Sequence, residues 1–188
     1  MIQDLLKEVC EELKKMDVDF IVVGGSALVN EGYDISTSDL DFVLTPKHFD
    51  KIEDELEESS RFLVKDRIQT MIESEFMYEN SWRTVEFIDP GYFSGDKSPD
   101  EFVDYVKRYR SVKKDIGYVA QPEVVFYMRL MTGDWEIYIQ KILRDVRSGL
   151  PVSLLDEASK ISETLKVEDK VEPRATKAKE IIEARIEK

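Results

Sequence analysis

One short stretch of this sequence constrains the fold more than any other: FIVVGGSALVNEGYDISTSDLDFVL, which runs from Phe20 to Leu44. It begins with four consecutive apolar residues, which are typical of a strand buried on both faces. A Gly-Gly-Ser turn follows and leads into a short helix. The stretch ends in a second apolar strand, which carries Asp39 and Asp41 on either side of Leu40. Because neighbouring strand residues point to opposite faces, both carboxylates project from the same face.

This carboxylate pair is a candidate metal site. Two carboxylates side by side in a partly buried place repel each other, and a divalent cation removes that repulsion. Their hard oxygen ligands favour Mg²⁺ or Mn²⁺. Taken alone, an Asp-x-Asp pair has a simpler explanation, namely an exposed strand end with two solvated aspartates. We therefore interpret Asp39 and Asp41 as metal ligands only in combination with the glycines before them.

Gly24, Gly25 and Ser26 lie where the first strand meets the helix. Backbone N–H groups at a helix start, together with the positive end of the helix, bind phosphate. The pattern is neither the Walker loop, which needs Gly-Lys-Ser/Thr, nor the dinucleotide fingerprint, which needs a third glycine. An ordinary tight turn is the alternative. Only one helix and one turn separate the glycines from the carboxylate pair, so both are expected at the same edge of one sheet.

The overall composition excludes several other classes of protein. The chain has 188 residues, and its 40 acidic and 27 basic side chains give a net charge of −13, which disfavours broad binding to duplex DNA. With one cysteine and one histidine, a disulfide framework, a cysteine or histidine zinc site and a Ser-His-Asp triad are not expected. No apolar run approaches the length of a membrane span, and the first residues lack a basic signal-peptide start. We expect a cytoplasmic protein without a membrane partner.

Periodicity along the chain predicts an α/β (α+β) fold: a mixed sheet flanked by helices, with a helical C-terminal part. The predicted strands are 17–23, 40–44, 62–66, 68–78 and 83–89, with a hairpin over 112–119. The predicted helices are 5–16, one from 26, one from 46, and then 100–107, 122–131, 134–147, 154–165 and 173–187. We expect two units, 1–120 and a helical part over 121–188 that packs on it and ends in an extended helix.

Together, the apolar strand, Gly-Gly-Ser, short helix and Asp-x-Asp resemble the small stand-alone nucleotidyltransferases of the DNA polymerase β superfamily, of the abortive-infection toxin or minimal type. The matching residues are Val23, Gly24, Gly25, Ser26, Asp39 and Asp41, with Thr37 where relatives often carry threonine. Many relatives have an arginine just before that threonine, whereas this chain has Ile35-Ser36. The resemblance covers residues 20–89 and implies a nucleotidyltransferase catalytic body over 1–120.

The resemblance also implies a third carboxylate on a later strand, and the segment TVEFID offers two candidates. Glu86 is flanked by apolar residues in a strand, as Asp41 is, and we prefer it. Asp89 precedes Pro90 at the end of the strand and is more typical of a turn residue. The sequence leaves the choice between Glu86 and Asp89 open.

A looser resemblance to abortive-infection toxin relatives lies in the helical segment after the body. Those relatives often carry basic and aromatic side chains there that face the nucleotide. Tyr138 and Lys141, one helical turn apart, are the candidate nucleotide contacts in this chain. The alternative is that Trp135, Ile139 and Ile142 pack in the core and that Lys141 is solvated.

The resemblance implies transfer of a nucleoside monophosphate from an NTP to a hydroxyl acceptor, with release of pyrophosphate. It implies catalysis and binding of Mg²⁺ or Mn²⁺ by Asp39, Asp41 and Glu86, and phosphate binding by Gly24, Gly25, Ser26 and Thr37. The acceptor stays open among an RNA end, a protein and a small molecule. Two other classes also stay open: a nucleotide-binding module with weak or no turnover, and a toxin–antitoxin component acting through a protein partner. That partner would be an antitoxin or, in a homodimer, a second copy of the chain.

Overall fold

The computed structural model of the chain describes residues 2–145 and 152–186. Its strands, β1 to β7 in chain order, are Phe20–Val23, Leu40–Leu44, Phe62–Ile68, Met71–Tyr78, Ser81–Ile88, Ser111–Lys114 and Gly117–Ala120. Its helices, α1 to α9, are Ile2–Lys15, Gly24–Asn30, Pro46–Phe49, Ile52–Glu57, Pro99–Tyr109, Pro122–Met131, Trp135–Asp145, Ser153–Leu165 and Glu168–Ile186. The predicted helix ends at 147 and 187 lie outside the described residues.

The strands form one seven-stranded sheet in the order β3-β4-β5-β2-β1-β7-β6. β2 lies between β1, to which it is antiparallel, and β5, to which it is parallel. β1 also pairs with β7 in parallel, and helices pack against the sheet. This architecture confirms the predicted class, a mixed sheet flanked by helices. It also makes β2 and β5, which carry Asp41 and Glu86, neighbours at the middle of the sheet.

Burial along the strands shows which parts of the sheet are covered. β1 and β2 are buried at every position, as expected for central strands covered on both faces. β4 instead alternates, because Ile72, Ser74, Phe76 and Tyr78 are buried and the residues between them are only half-buried. The part of the sheet formed by β3, β4 and β5 therefore has one covered face and one open face.

The C-terminal helices surround α6 and hold its end. Most of α6 is buried, because α8 and α9 pack against it. Arg174 of α9 donates from Nη1 to the carbonyl oxygens of Leu130, at 2.5 Å, and Thr132, at 2.7 Å. These bonds satisfy carbonyl groups that the end of a helix leaves without partners. α6 also packs on α2, so the helical part lies beside the glycines; its division from the body at residue 120 stays a prediction.

The largest differences from the predicted helices concern α2, the pair α3 and α4, and α9. α2 begins at Gly24 rather than at 26, so both glycines belong to the first turn of this helix. The helix predicted from 46 is divided into α3 and α4. α9 begins at Glu168 and contains Pro173 in its interior, because Lys166 ends α8 in a left-handed conformation and the next helix starts soon after it.

No helix in the described part of the chain combines the length and the apolar character needed to cross a membrane.

Candidate active site

Three carboxylates converge at the middle of the sheet. Asp41 on β2 lies directly opposite Glu86 on β5 in the parallel register, so both side chains project from the same face. Asp39 immediately precedes β2 and projects from that face as well. Each of the three offers one oxygen, and these oxygens lie within 4.8 Å of one another. Asp41 is 2% exposed, whereas Asp39 and Glu86 are half-buried.

A glycine allows the buried carboxylate to sit at the start of α2. Val23 pairs with Asp41 across β1 and β2, and Gly24 follows at once with a φ of +62°. A Cβ atom on Gly24 would lie 1.7 Å from Oδ2 of Asp41. Both the left-handed backbone and the close approach therefore require glycine here.

The ionisation of this cluster is strongly perturbed. Burial raises the pKa of Asp41, the charge of Arg129 lowers it, and the charge of Asp39 raises it again, so that the net shift is upward. Burial, and then the charge of Asp41, raises the pKa of Glu86 to about 8. Without an added cation, the three carboxyl groups are therefore not all ionised at neutral pH.

The same carboxylates have the chemistry of a divalent metal site. Oδ1 of Asp41 is buried and has no hydrogen-bond partner among the described residues. A buried acceptor without a partner destabilises the folded state, and a bound cation relieves that cost. The donor atoms are all carboxylate oxygens within reach of one ion, which suits Mg²⁺ or Mn²⁺. Asp39, Asp41 and Glu86 thus fit a divalent cation.

The other candidate for the third carboxylate has a different place. Asp89 follows β5, and its Oδ1 accepts a hydrogen bond of 2.8 Å from the backbone N–H of Gly91. It caps the short 3₁₀ turn that begins at Pro90. The structure therefore groups Glu86 with Asp39 and Asp41, and it leaves Asp89 in a turn.

A cavity of about 240 Å³ opens over the three carboxylates. One side, here called the strand wall, consists of Asp39, Asp41 and Glu86, with Gly25 and Thr37 beside them. A second group of lining residues, here called the helical wall, comes from α6, α7 and the segment between them: Arg129, Asp134, Ile137, Tyr138 and Lys141. The two predicted nucleotide contacts, Tyr138 and Lys141, thus line the same cavity as the carboxylates. Their contact with a nucleotide stays a prediction.

Arg129 is a charged residue of the cavity that the sequence did not indicate as part of the site. Its guanidinium carbon lies 4.3 Å from the ring centroid of Tyr138, an arrangement that fixes the cation over the ring. Burial is the main reason that the pKa of Tyr138 rises to about 12, so the phenol stays neutral. Within the described ranges Arg129 forms no ion pair with a carboxylate. Its only signal in the sequence is a charged residue in a helix that is otherwise almost wholly apolar.

The predicted phosphate-binding residues divide into two groups. Gly25 and Thr37 line the cavity, and the Thr37 hydroxyl donates to Oδ1 of Asp39 at 3.1 Å. Ser26 does not line it: this residue is 2% exposed, and its hydroxyl donates to the carbonyl oxygen of Val23 at 3.1 Å. Gly24 lies behind Asp41, in the wall of a smaller cavity of about 40 Å³. Phosphate binding by these residues stays a prediction.

Solved structures provide a comparison for this arrangement. An antigenic nucleotidyltransferase-like protein from Paracoccidioides brasiliensis matches with a TM-score of 0.50 at 13% identity, over 91% of this chain and 92% of that one. The chain has a minimal nucleotidyltransferase fold. At this identity the likeness concerns the nucleotidyltransferase fold alone.

The antibiotic-resistance factor ANT(2'')-Ia is a second match. Its solution structure has a TM-score of 0.49 at 10% identity, with 100% of this chain and 97% of that chain covered. Its complex with adenylyl-2''-tobramycin has a TM-score of 0.45 at 11% identity, with 94% and 96% covered. No protein-family model and no curated protein matches this sequence.

Proposed function

We propose that this chain transfers a nucleoside monophosphate from an NTP to a hydroxyl acceptor and releases pyrophosphate. One observation carries the proposal: three carboxylates, one of them buried with an unpartnered oxygen, line one cavity together with an arginine. Such a site provides oxygen ligands for a divalent metal on one side and positive charge for phosphate on the other. Phosphoryl-group transfer depends mainly on this kind of positioning and charge neutralisation.

Asp39, Asp41 and Glu86 are the residues that would hold the metal. Bound Mg²⁺ or Mn²⁺ neutralises the triphosphate and makes an acceptor hydroxyl more acidic. The chain's own carboxylates set where that happens, because the pairing of β2 with β5 fixes Asp41 opposite Glu86. Thr37 holds Asp39 in place through the hydrogen bond from its hydroxyl.

The nucleotide would lie between the two walls of the cavity. Gly25 lets the triphosphate approach the backbone at the first turn of α2, and Thr37 lies beside it. Arg129 faces the phosphates from the helical wall, held over the ring of Tyr138. Lys141, which is exposed at the cavity, adds a second positive charge.

The acceptor hydroxyl would react beside Glu86. The acceptor oxygen loses its proton to solvent and forms a bond to the α-phosphorus, while the bond from that phosphorus to the oxygen bridging to the β-phosphate breaks and pyrophosphate leaves. Neither Cys10 nor His48 is needed. Cys10 is buried, which raises the pKa of its thiol to about 12, and Nδ1 of His48 lies 2.7 Å from the Thr45 hydroxyl.

Label transfer tests the proposal. The protein is incubated with each α-labelled NTP, with Mg²⁺ or Mn²⁺, and with RNA, protein and small-molecule acceptors. We expect the label to appear on one acceptor class and pyrophosphate to form in equal amount. Nucleotide binding without label transfer to any acceptor would instead identify a binding module that lacks turnover.

A further inference from the structure

A second cavity lies on the covered face of the sheet, away from the three carboxylates. Arg83 on β5 is opposite Phe76 of β4, which belongs to that face, whereas Glu86 alternates onto the other face. The volume of this space, here called the rear cavity, is about 150 Å³. It is lined by Ile2, Leu5, Thr37, Ser38, Tyr78 and Arg83. Thr37 also lines the cavity over the carboxylates, so this one residue lies in both walls.

Arg83 is the charged residue of the rear cavity, and its charge is not used within the described part of the chain. The other half-buried arginines whose side chains the structure describes contact a carboxylate, a carbonyl oxygen or an aromatic ring; they are Arg61, Arg110, Arg129 and Arg174. Arg83 is also half-buried, but among residues 2–145 and 152–186 it forms no ion pair, hydrogen bond or ring contact. Its guanidinium is therefore available to a ligand.

Three carboxylates near the rear cavity restrict what this ligand can be. Burial, and then the charges of Glu79, Asp4 and Glu8, raises the pKa of Tyr78, so these negative charges reach the cavity wall. None of the three residues lines the cavity itself. They partly repel a bare inorganic anion. A ligand therefore needs both direct contact with Arg83 and an apolar part that gains free energy by burial.

The rest of the wall suits such a ligand. Ser38 is exposed, and its hydroxyl has no hydrogen-bond partner among the described residues. The first turn of α1, the positive end of that helix, supplies Ile2 and Leu5. Leu5 and Tyr78 are buried and form an apolar surface. An apolar cavity of about 150 Å³ holds one benzene ring, which sets the size of the apolar part.

We propose that the rear cavity is a ligand site for a small organic anion: a carboxylate or a phosphate monoester whose apolar part is about the size of one aromatic ring. The guanidinium of Arg83 binds the anionic group through two parallel hydrogen bonds, and the Ser38 hydroxyl donates a third. The apolar part packs on Leu5 and Tyr78. This site goes beyond the proposed nucleotide transfer and does not depend on it.

Thr37 connects the rear cavity to the candidate metal site. Its hydroxyl oxygen lies 3.1 Å from Oδ1 of Asp39 and 3.2 Å from the carbonyl oxygen of the same residue. Residues 33–38 form neither helix nor strand, so backbone pairing does not fix the position of Thr37. A ligand that holds Ser38 also holds Thr37 and Asp39, and it thereby favours the arrangement in which the three carboxylates bind a metal.

Two probes test the site by binding. Benzoate and phenyl phosphate are titrated calorimetrically into the metal-free full chain, with benzyl alcohol as the neutral comparison and inorganic phosphate as the comparison without a ring. We expect at least one probe to bind, and both comparison compounds to bind about tenfold more weakly or less, as for the loss of one hydrogen bond to a charged group. Equal binding of either comparison compound, or no binding of either probe, would overturn the site.

Substitutions locate the bound probe. Arg83→Gln should keep the wild-type melting temperature and weaken probe binding about tenfold, because it removes charge-assisted hydrogen bonds. Arg83→Lys should be intermediate, since lysine keeps the charge but not the planar fork. Arg108→Gln is the matched control, because this exposed arginine does not line the cavity. A loss of binding in Arg129→Gln but not in Arg83→Gln would place the probe over the carboxylates and overturn the rear cavity.

A Mn²⁺ titration tests the connection through Thr37. With the probe bound, Mn²⁺ should bind about fivefold more tightly, and Mn²⁺ should strengthen probe binding by the same factor. Thr37→Val should still bind the probe but lose this coupling, because it keeps the shape and removes the hydroxyl beside Asp39. An unchanged Mn²⁺ affinity in wild type with bound probe would overturn the coupling. Neither measurement requires turnover, so a protein that transfers no label still decides the outcome.

Discussion

The strand wall and the helical wall of the cavity are built by different physical means. The carboxylates of the strand wall are positioned by backbone hydrogen bonds, because the pairing of β2 with β5 places Asp41 opposite Glu86. Arg129 and Tyr138 on the helical wall are positioned by side-chain packing, and bonds from Arg174 secure the end of α6. Backbone pairing thus holds the negatively charged carboxylates together. Helix packing holds the positively charged Arg129 in the wall of the same cavity.

Among these substitutions, the removal of one negative charge from the strand wall should have the largest effect on turnover. Asp41→Asn keeps the shape but removes a metal ligand, so we expect turnover to fall by on the order of 100-fold or more. The melting temperature without metal should stay level or rise, because repulsion among the carboxylates decreases. Steady-state kinetics and thermal denaturation measure both. Asp89→Asn is the control, with turnover retained; an Asp41→Asn protein that is unfolded, or fully active, would contradict the site.

Removing the cation from the helical wall should have the next largest effect. Arg129→Gln should weaken NTP and tripolyphosphate binding by roughly 10- to 100-fold, since hydrogen bonds to charged groups are among the strongest. Nucleoside binding should change little. Calorimetry with the three ligands measures this selectivity. Arg110→Gln is the matched control, because this half-buried arginine pairs with Glu123 and Glu157 away from the cavity and its loss should leave phosphate affinity intact; a uniform loss for all ligands would make Arg129 merely structural.

The space beside the strand wall can be tested with a single methyl group. A Cβ atom on Gly25 would lie 2.6 Å from Oγ1 of Thr37, so Gly25→Ala must displace the threonine that supports Asp39. We expect about tenfold weaker tripolyphosphate binding, as for the loss of one good hydrogen bond. Gly133→Ala is the control, because a Cβ there has no atom within 4 Å. If both variants bind tripolyphosphate like wild type, Gly25 is not needed for close approach.

The smallest effect concerns stability without metal. The pKa of Glu86 is raised from an ordinary value of 4.5 to about 8, so in this pH window the folded state binds more protons than the unfolded state. Stability should therefore fall as pH rises from about 4.5 to about 8, by several degrees in melting temperature. Mg²⁺ should raise the melting temperature more at pH 8 than at pH 5.5. Differential scanning calorimetry checks this, and Glu86→Gln should flatten the profile; an unchanged profile in that variant would assign the effect to other groups.

The fold and the strand wall were predictable because the patterns that specify them lie within short segments of the sequence. The apolar run around Asp41 identified the strand that carries it, and the glycine pair marked the place where β1 gives way to α2. The same alternation favoured Glu86 over Asp89, and the structure places Glu86 opposite Asp41. Ser26 shows the limit of such a motif, since a short pattern does not reveal whether a hydroxyl faces the cavity or bonds to the backbone.

The sequence by itself determined the mixed fold, the paired carboxylates and the glycine pair between β1 and α2, because each depends on residues a few positions apart. Only the tertiary structure decided that Arg129 shares a cavity with these carboxylates and that Glu86 lies opposite Asp41. An arginine in an apolar helix points to a site only once the packing of α6 is known. The position of Glu86 depends on the register of β5 with β2, because a shift of one residue would turn its side chain to the other face of the sheet.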